Sequence, residues 1–402
     1  MEEALLYKCC RISPTHYNKP IMRYELTEKQ RNIKELARHF AEERIKPIRE
    51  ILDEKDEFPI ELMKELGRLD FFRVFIPEEY GGFGFGVFEL SLVMEEISRV
   101  CGGVGTSFAV NALGAYPIVR FGSDQQKAKY LPDIASGKSF CAFALTEAEA
   151  GSDAGNIKTR AFLEGDHYRI QGTKIFITNG EVADVYVVLA STDFKRGIRG
   201  QTAFILEKGM PGFTFGKKEN KMGIRASHTC ELIFDDVIVP KENVLGGTGR
   251  GFLLAMENFD HSRPGVGAQA LGIAQGAFEE AVRYAKNRIQ FGESIISQQG
   301  IKFMIADMAT QIEAARALIY NTAQMIDRGE RRFSKESSMS KLFASDMAMK
   351  VTTDAVQILG GYGYMKDYPV EKMMRDAKIT QIYEGTNQIQ RIVIAQEIIK
   401  EI

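Results

Sequence analysis

The order of hydrophobic periods along the chain constrains its fold more than any other feature. From about residue 27 to 143, apolar residues recur at three- and four-residue spacing, which is typical of amphipathic helices. Between about 145 and 259, short segments rich in β-branched and aromatic residues, such as Asp184–Leu189, are separated by turn signals. From about Arg263 the helical spacing returns. Because helices and strands do not alternate one by one, this order argues against a doubly wound nucleotide-binding fold.

Capping residues and glycines mark the expected helix boundaries. Thr27 with Gln30, and Ser123 with Gln126, have the spacing of capping boxes. The second helical region contains three long segments, predicted at about 264–288, 299–328 and 335–359. We therefore expect a helical part, a β part and a second helical part, in that order.

Composition excludes several classes of function. The 402 residues include 52 basic and 54 acidic side chains, a net charge of −2, so the chain has no dominant basic field for a nucleic acid. No apolar run is long enough to cross a bilayer. The five histidines and five cysteines show no zinc-ligand spacing, and no G-x-S-x-G elbow provides a nucleophilic serine. We therefore expect no metal site, and chemistry supplied by a bound organic cofactor.

The cysteines and the N-terminal segment bear on the compartment. Five scattered cysteines are too few for a disulfide framework, which favours a reducing compartment. Residues 1–22 carry Glu2 and Glu3 and no apolar core, so they resemble neither a secretory signal nor an arginine-rich transit peptide. We expect a disordered or accessory extension over 1–22, and a cytoplasmic protein of bacterial type rather than one of the mitochondrial matrix.

Four segments with chemically useful side chains follow one another over most of the chain. They are Phe143-Ala-Leu-Thr-Glu-Ala-Glu-Ala-Gly-Ser-Asp153, Gly172-Thr-Lys-Ile-Phe-Ile-Thr-Asn-Gly180, Phe259-Asp-His-Ser-Arg-Pro264 and Asp376-Ala-Lys-Ile-Thr-Gln-Ile-Tyr-Glu-Gly-Thr-Asn-Gln-Ile-Gln-Arg391. Lys221–Arg225 with Phe234–Pro240 adds a fifth. Each is weak evidence alone, because polar loops with glycine are common. In this order they closely resemble the acyl-CoA dehydrogenase family, from about residue 24 to the end of the chain.

This resemblance implies an α+β multidomain fold. Its expected parts are an N-terminal α-helical domain over 23–144, a middle β-barrel or β-sandwich domain over 145–259, and a C-terminal four-helix bundle over 260–402. The family usually shares cofactor contacts between subunits, so a homotetramer, a dimer of dimers, is also expected.

Glu384 is the expected catalytic base, since the family places its base at this position. The α-proton of an acyl thioester is weakly acidic, so the carboxylate must be desolvated and held close to it, which raises its pKa toward a useful range. The resemblance further implies that the backbone N–H of Glu384 and a ribityl hydroxyl of FAD polarise the thioester carbonyl. The alternative is a solvated glutamate at a helix start. Some relatives place the base just before the arginine of the third segment, where this chain has Ser262, which cannot act as a base.

The resemblance implies FAD as the cofactor. The expected contacts are Phe143, Leu145, Thr146, Gly151, Ser152, Phe176, Ile177, Thr178, Arg288, Phe291, Gln298, Gln299, Gln357, Gly360, Gly361, Thr386 and Gln388. Arg288 and Phe291 are expected to reach the flavin of a neighbouring subunit, where a guanidinium can grip the pyrophosphate through two parallel hydrogen bonds. Phe176 keeps an aromatic face where many relatives carry tryptophan. Without the resemblance, a turn leading into the sheet and a solvated arginine at a helix end are the competing explanations.

The expected acyl-CoA contacts are Ser152, Asp260, Ser262, Arg263, Tyr383 and Gly385. An ion pair at a helix start also accounts for Asp260 and Arg263. The family's acyl pocket is partly lined by the helix around 105–111, where bulky Phe108 and small Ala109 indicate a short, branched or ring-bearing acyl chain. Core packing explains both residues about as well. No arginine lies in this stretch to grip a second carboxylate, yet dicarboxylic and aromatic thioesters stay open.

The implied function is dehydrogenation of an acyl-CoA to the trans-2-enoyl-CoA. Glu384 would take the α-proton, flavin N5 the β-hydride, and an electron-transfer flavoprotein the electrons. An oxidase, a hydroxylase or a nitroalkane oxidase on the same architecture is an alternative, although the glutamate and the 402-residue length favour a dehydrogenase. The third possibility is a catalytically silent homologue that acts as a scaffold, against which the intact motifs argue.

Overall fold

The structure confirms the helical, β, helical order, and six helices form the first part. The computed structural model describes residues 24–402, so the extension expected over 1–22 lies outside the described residues. The helices are α1 Glu28–Phe40, α2 Arg49–Lys55, α3 Ile60–Arg68, α4 Val87–Val100, α5 Gly102–Phe121 and α6 Asp124–Ala135. Thr27 and Ser123 accept hydrogen bonds from the backbone N–H groups of Gln30 and Gln126, which confirms both capping boxes.

A mixed eight-stranded sheet forms the middle of the chain. Its strands are β1 Cys141–Ala144, β2 Arg160–Glu164, β3 His167–Thr178, β4 Val185–Ser191, β5 Gln201–Glu207, β6 Phe213–Lys218, β7 Thr229–Pro240 and β8 Val244–Leu245. The strand order is β6-β7-β3-β2-β4-β5-β8, and β1 pairs in parallel with β4. The register between β3 and β7 shifts between Lys174 and Ile177. This irregularity redirects the enclosed residue Phe176, whose φ is 58°.

Five helices and a short hairpin complete the fold. They are α7 Gly251–Asn287, β9 Ile289–Gln290, β10 Glu293–Ser294, α8 Gln299–Asp327, α9 Ser334–Leu359, α10 Val370–Ile379 and α11 Asn387–Glu401. Helices α8 and α9 agree with the predicted segments. The predicted start of α7 near Arg263 is wrong, because the helix begins at Gly251 and continues through Pro264. The domain boundary expected at 259/260 therefore falls inside a continuous helix.

Pro264 accounts for the wrong helix start. Proline is common in the first turn of a helix, so in a sequence it indicates a beginning. Inside a helix it has no N–H to donate to the carbonyl four residues earlier, which here belongs to Asp260. The hydroxyl of Ser337 on α9 donates to that carbonyl instead. Helix α7 can therefore pass through the proline without leaving a buried acceptor unpaired.

Helix α7 is the central element of the molecule. It packs along α4, α5, α8 and α9, and all residues from His261 to Ala274 are buried. The close approach of α4 requires Gly276, since a Cβ there would lie 2.0 Å from Arg99 O. This packing carries the predicted substrate residues of α7 into the interior. Among the helices of residues 24–402, none combines the length and the apolar character that a membrane span requires.

Candidate active site

The turn between α10 and α11 holds the predicted base in a strained conformation. Glu384 has a φ of 51° and Gly385 a φ of 90°, both in the left-handed region. For a residue with a side chain this conformation costs about 1–3 kcal/mol and persists only where the surroundings enforce it. The Gln390 amide donates to Glu384 O at 3.1 Å and to Gly385 O at 2.9 Å. Thr386 caps α11 by accepting from Ile389 N. The turn is therefore shaped by specific contacts.

The carboxylate of Glu384 points toward α7. Its Oε2 accepts a hydrogen bond from Ser262 Oγ. Burial raises the pKa of Glu384 above its ordinary value, while the Ser262 hydroxyl and the charges of Arg263 and Lys341 act in the opposite direction. Glu384 is half-buried and its carboxylate is hydrogen-bonded to α7, so the side chain is not the solvated helix-start glutamate considered as an alternative. A raised pKa makes the carboxylate a stronger base for a weak carbon acid.

Asp260 and Arg263 flank Ser262 on α7. The Arg263 guanidinium donates to the Asp260 carboxylate, which also accepts from Ser334 Oγ on α9. Arg263 is 4% exposed, and burial lowers its pKa, while burial raises the pKa of Asp260. The ion pair considered from the sequence is present, but it lies inside a continuous helix rather than at a helix start. It places one cation beside the Glu384 carboxylate.

Tyr383 belongs to a buried polar cluster between α5 and α7. Its hydroxyl donates to Gln269 Oε1. The Gln269 amide in turn donates to Thr106 Oγ1 at 2.7 Å and to Gly102 O at 3.0 Å. Sequence reasoning missed Gln269 and Thr106, although a polar glutamine within the alanine- and glycine-rich run of α7 was an available signal. This cluster bridges two helices directly beside the predicted base.

Phe108 does not contribute to this cluster. Its side chain is fully buried, with ring centroids 5.5 Å from Phe72 and 6.1 Å from Phe75. Core packing therefore accounts for Phe108, whereas its neighbour Ala109 is half-buried.

The first two predicted FAD segments lie side by side, the first where the chain leaves β1 and the second along β3. Backbone N–H of Ile175 donates to Thr146 O at 2.9 Å and joins them. Next to this contact, Phe176 is 59% exposed. A Cβ at Gly151 would meet no atom within 4 Å, so space is open beside the loop. An outward aromatic ring beside an open polar loop fits a flat ring system with a polar edge, such as a flavin.

The other predicted members of these segments differ in exposure. Phe143, Leu145 and Ile177 are buried, Thr178 is half-buried and Ser152 is exposed.

A buried ion pair supports the first segment from inside the protein. Lys174 is fully buried and donates to Leu145 O at 2.8 Å and to Glu147 Oε1 at 2.6 Å. Glu147 also accepts from the backbone N–H groups of Lys158 and Thr159. Lys174 and Glu147 lie within two of the motifs, yet neither was predicted to belong to the site. They fix the loop on which the expected flavin contacts lie.

A second group of predicted residues lines a groove at the ends of α7 and α9. The groove has a volume of about 470 Å³, and Arg288, Gly360 and Gly361 line it. A Cβ at either glycine would meet no atom within 4 Å. The Arg288 guanidinium lies 5.6 Å from the centroid of the Tyr362 ring. A guanidinium beside open backbone fits a phosphate group.

The remaining predicted FAD contacts are exposed or half-buried around this groove and at the start of two helices. Phe291 is 96% exposed in the turn of the β9–β10 hairpin, Gln298 precedes α8 and Gln299 begins it, and Gln357 and Gln388 are exposed on α9 and α11. Contact of Arg288 or Phe291 with a neighbouring subunit stays a prediction.

A larger cavity of about 920 Å³ lies next to α6 and is lined by Arg120 and Lys129. It contains none of the predicted residues, so cavity size does not locate the site. Within residues 24–402, no group of three His, Cys, Asp or Glu residues is placed to hold a metal.

Comparisons with known proteins identify the family to which the chain is similar. Family models match over 27–138 (acyl-CoA dehydrogenase, N-terminal domain), 142–237 (middle domain) and 249–399 (C-terminal domain). An acyl-CoA dehydrogenase of Bacillus subtilis is 51% identical over 92% of this chain and 98% of its own length. The butyryl-CoA dehydrogenase structure from Megasphaera elsdenii has a TM-score of 0.92 at 46% identity, and covers 94% of this chain and 100% of that one. A chain from a study of the electron transferring flavoprotein of Acidaminococcus fermentans matches with a TM-score of 0.92 at 53% identity, over 94% of this chain and 100% of that one.

Proposed function

The chain belongs to the acyl-CoA dehydrogenase family, and we propose that it oxidises a short-chain acyl-CoA to the trans-2-enoyl-CoA with FAD as the resident cofactor. The observation that carries this proposal is the position of Glu384. Its backbone is held in a strained turn, and its carboxylate is desolvated and faces the buried polar groups of α7.

In the proposed reaction, Glu384 abstracts the α-proton of the thioester. Its raised pKa makes proton transfer from carbon less unfavourable, and the Ser262 hydrogen bond and the Arg263 charge hold the ionised form ready. The backbone N–H of Glu384 polarises the thioester carbonyl. Bound FAD would supply the acceptor for the hydride that leaves the β-carbon. Loss of a proton and a hydride from adjacent carbons leaves the double bond.

Two surfaces of the chain are proposed to hold FAD. The flavin ring would lie against Phe176 and the loop that Lys174 and Glu147 support, because this loop is open beside Gly151. The groove at Arg288 would take a phosphate-bearing part of FAD, from this subunit or from a neighbouring one in a homotetramer.

A short acyl chain is favoured by the polar cluster next to the base. The Tyr383, Gln269 and Thr106 side chains link the Glu384 turn with α7 and α5, so an acyl tail that extended from the base between these helices would meet polar groups. A long chain would have to break these buried hydrogen bonds, which costs about 1–3 kcal/mol for each group left unpaired. The similar structure from Megasphaera elsdenii is named for a butyryl substrate.

We propose an electron-transfer flavoprotein as the electron acceptor. We also propose that the protein is located in the cytoplasm.

The experiment that tests this function compares wild type with Glu384→Gln. We expect both to carry FAD and to bind butyryl-CoA. The variant should bleach the flavin about 10²–10⁴-fold more slowly, since it lacks the base. It should also fail to exchange the substrate α-proton for deuterium in D2O. Flavin bleaching or deuterium exchange at the wild-type rate in Glu384→Gln would show that Glu384 is not the base. Steady hydrogen peroxide formation without an added acceptor would indicate an oxidase instead.

A further inference from the structure

Lys341 is a fully buried lysine that none of the sequence motifs contains. It lies on α9, and its ammonium donates to Gly385 O and to Asn387 Oδ1, both at 2.8 Å. Both acceptors belong to the segment that follows Glu384. Lys341 thus links the strained turn to the long helix behind it.

Two further residues of α9 extend this link. The Asn387 amide donates to Ser345 Oγ at 2.9 Å and to Asp346 Oδ1 at 2.7 Å. Ser345, four positions after Lys341, lies on the same side of α9, and Asp346 is its immediate neighbour, so one stretch of α9 contacts the turn and the start of α11. Because Gly385 O and the Asn387 side chain are both held, the backbone that follows Glu384 has little freedom to leave its conformation.

The position of Lys341 calls for an explanation beyond packing. Burying an ammonium group costs several kcal/mol unless it is compensated, so a position that only filled space would be served better by an apolar side chain. The charged groups that face Lys341 are Glu384 of the turn, Arg263 of α7 and Asp346 of α9. A cation in this place favours the ionised form of the Glu384 carboxylate.

We propose that Lys341 is a positioning residue for the dehydrogenation, which fixes the turn that carries Glu384 and holds its carboxylate in the ionised form. This inference rests on the proposed function. Burial lowers the pKa of Lys341 to about 7, with the Glu384 charge acting in the opposite direction. Its charge is therefore present at acidic pH, which is where a carboxylate titrates, and is lost as the pH rises through neutrality.

The test uses holoenzyme variants of Lys341 and a control on the same helix. Lys341→Met removes the donors and the charge, Lys341→Gln keeps an N–H donor without the charge, and Lys341→Arg keeps both. Lys350→Met is the control, because Lys350 is exposed on α9 and pairs with Asp354. Each variant is assayed over pH for flavin bleaching by butyryl-CoA and for deuterium exchange at the α-carbon. FAD content and butyryl-CoA affinity are measured alongside.

We expect Lys341→Met to lower both rates about 10-fold or more, with butyryl-CoA affinity changed by less than about 3-fold, since the loss concerns the reacting geometry. In Lys341→Met and Lys341→Gln, the acid limb of both pH profiles should move to higher pH by about one unit, because removal of a nearby cation raises the pKa of Glu384. Lys341→Arg should keep the acid limb in place. Lys350→Met should match wild type.

The outcomes separate this inference from the proposed function. Wild-type bleaching that Glu384→Gln abolishes supports the function, whatever Lys341 does. Wild-type rates and an unmoved acid limb in Lys341→Met and Lys341→Gln would overturn the inference. Loss of FAD from both variants would also overturn it, since the proposed role of Lys341 is confined to Glu384 and does not extend to the neighbouring predicted FAD contacts Thr386 and Gln388. If wild type fails to bleach with any acyl-CoA, the proposed function fails, and the pH profile of deuterium exchange still tests Lys341.

Discussion

Two loops of the candidate site are each held by a buried lysine. Lys341 donates to the turn that carries Glu384, and Lys174 donates to the loop expected to contact the flavin. Burial lowers the pKa of Lys174 to about 8, and its partner Glu147 acts in the opposite direction. The net pKa of Glu147 is lowered, because Lys174 and two backbone N–H groups outweigh the effect of burial. A paired, hydrogen-bonded charge of this kind holds a loop in one conformation.

Replacing Lys174 by Met should show how much the Lys174–Glu147 ion pair stabilises the protein and its FAD site. The Glu147 carboxylate would stay buried without its countercharge, which costs about 3–5 kcal/mol. We expect Lys174→Met to lower the melting temperature and to reduce the FAD content of the purified protein, both measured against Lys158→Met. Lys158 is exposed, and its ammonium donates to Asn156. Wild-type FAD content and melting in Lys174→Met would contradict this role.

The sequence could predict Glu384 but not the groups that act on it. The base, its turn glycine and its capping Thr386 adjoin in one motif, so a local pattern contains them. Ser262 was predicted as a substrate contact, and its hydrogen bond to Glu384 spans 122 residues. Lys341 and Gln269 lie in ordinary helical runs. Their roles depend on how α7, α9 and the turn pack together, which no local spacing encodes.

At the scale of elements, α7 shows how a tertiary contact overrides a local signal. The sequence predicted the lengths of α8 and α9 because glycines and capping positions end them. It failed at α7 because Pro264 indicates a helix start and the Ser337 hydroxyl that replaces the missing donor lies on another helix. The same continuity places Asp260 and Arg263 in the interior beside the base.

This explanation predicts a coupling between two substitutions. Ser337→Ala should leave Asp260 O buried without a donor and destabilise the protein by about 1–3 kcal/mol. In a Pro264→Ala background, the new N–H of residue 264 can donate to that carbonyl, so the cost of Ser337→Ala should fall below about 0.5 kcal/mol. Urea unfolding of the four proteins of the cycle measures both values. Equal costs in the two backgrounds would show that Ser337 stabilises the protein in some other way.

At the scale of the molecule, α10 joins the three parts of the chain. The Arg375 guanidinium donates to both oxygens of Asp53 on α2, at 2.6 and 3.2 Å, and to Met222 O of the middle part at 3.0 Å. Next to it, Asp376 accepts from the backbone N–H of Ile224. The turn that carries Glu384 follows α10 directly. The position of Glu384 therefore depends on the contacts that α10 makes with distant segments, as well as on the immediate neighbours of the base.

Replacement of Arg375 should both weaken the contacts of α10 with the other parts of the chain and slow flavin bleaching. Arg375→Met leaves the largely buried Asp53 carboxylate without its partner, so we expect a loss of about 2–4 kcal/mol in the free energy of unfolding. Calorimetry should show earlier and less cooperative melting, since fewer contacts connect the parts. Flavin bleaching should slow, because displacement of α10 moves the Glu384 turn. Arg375→Lys should recover part of the stability, because lysine keeps the charge but cannot form two parallel hydrogen bonds.

Lys378→Met is the matched control for Arg375→Met, because Lys378 is exposed on the same helix and donates to Gln381. If Arg375→Met melts as one transition at the wild-type temperature, then α10 does not hold the three parts together.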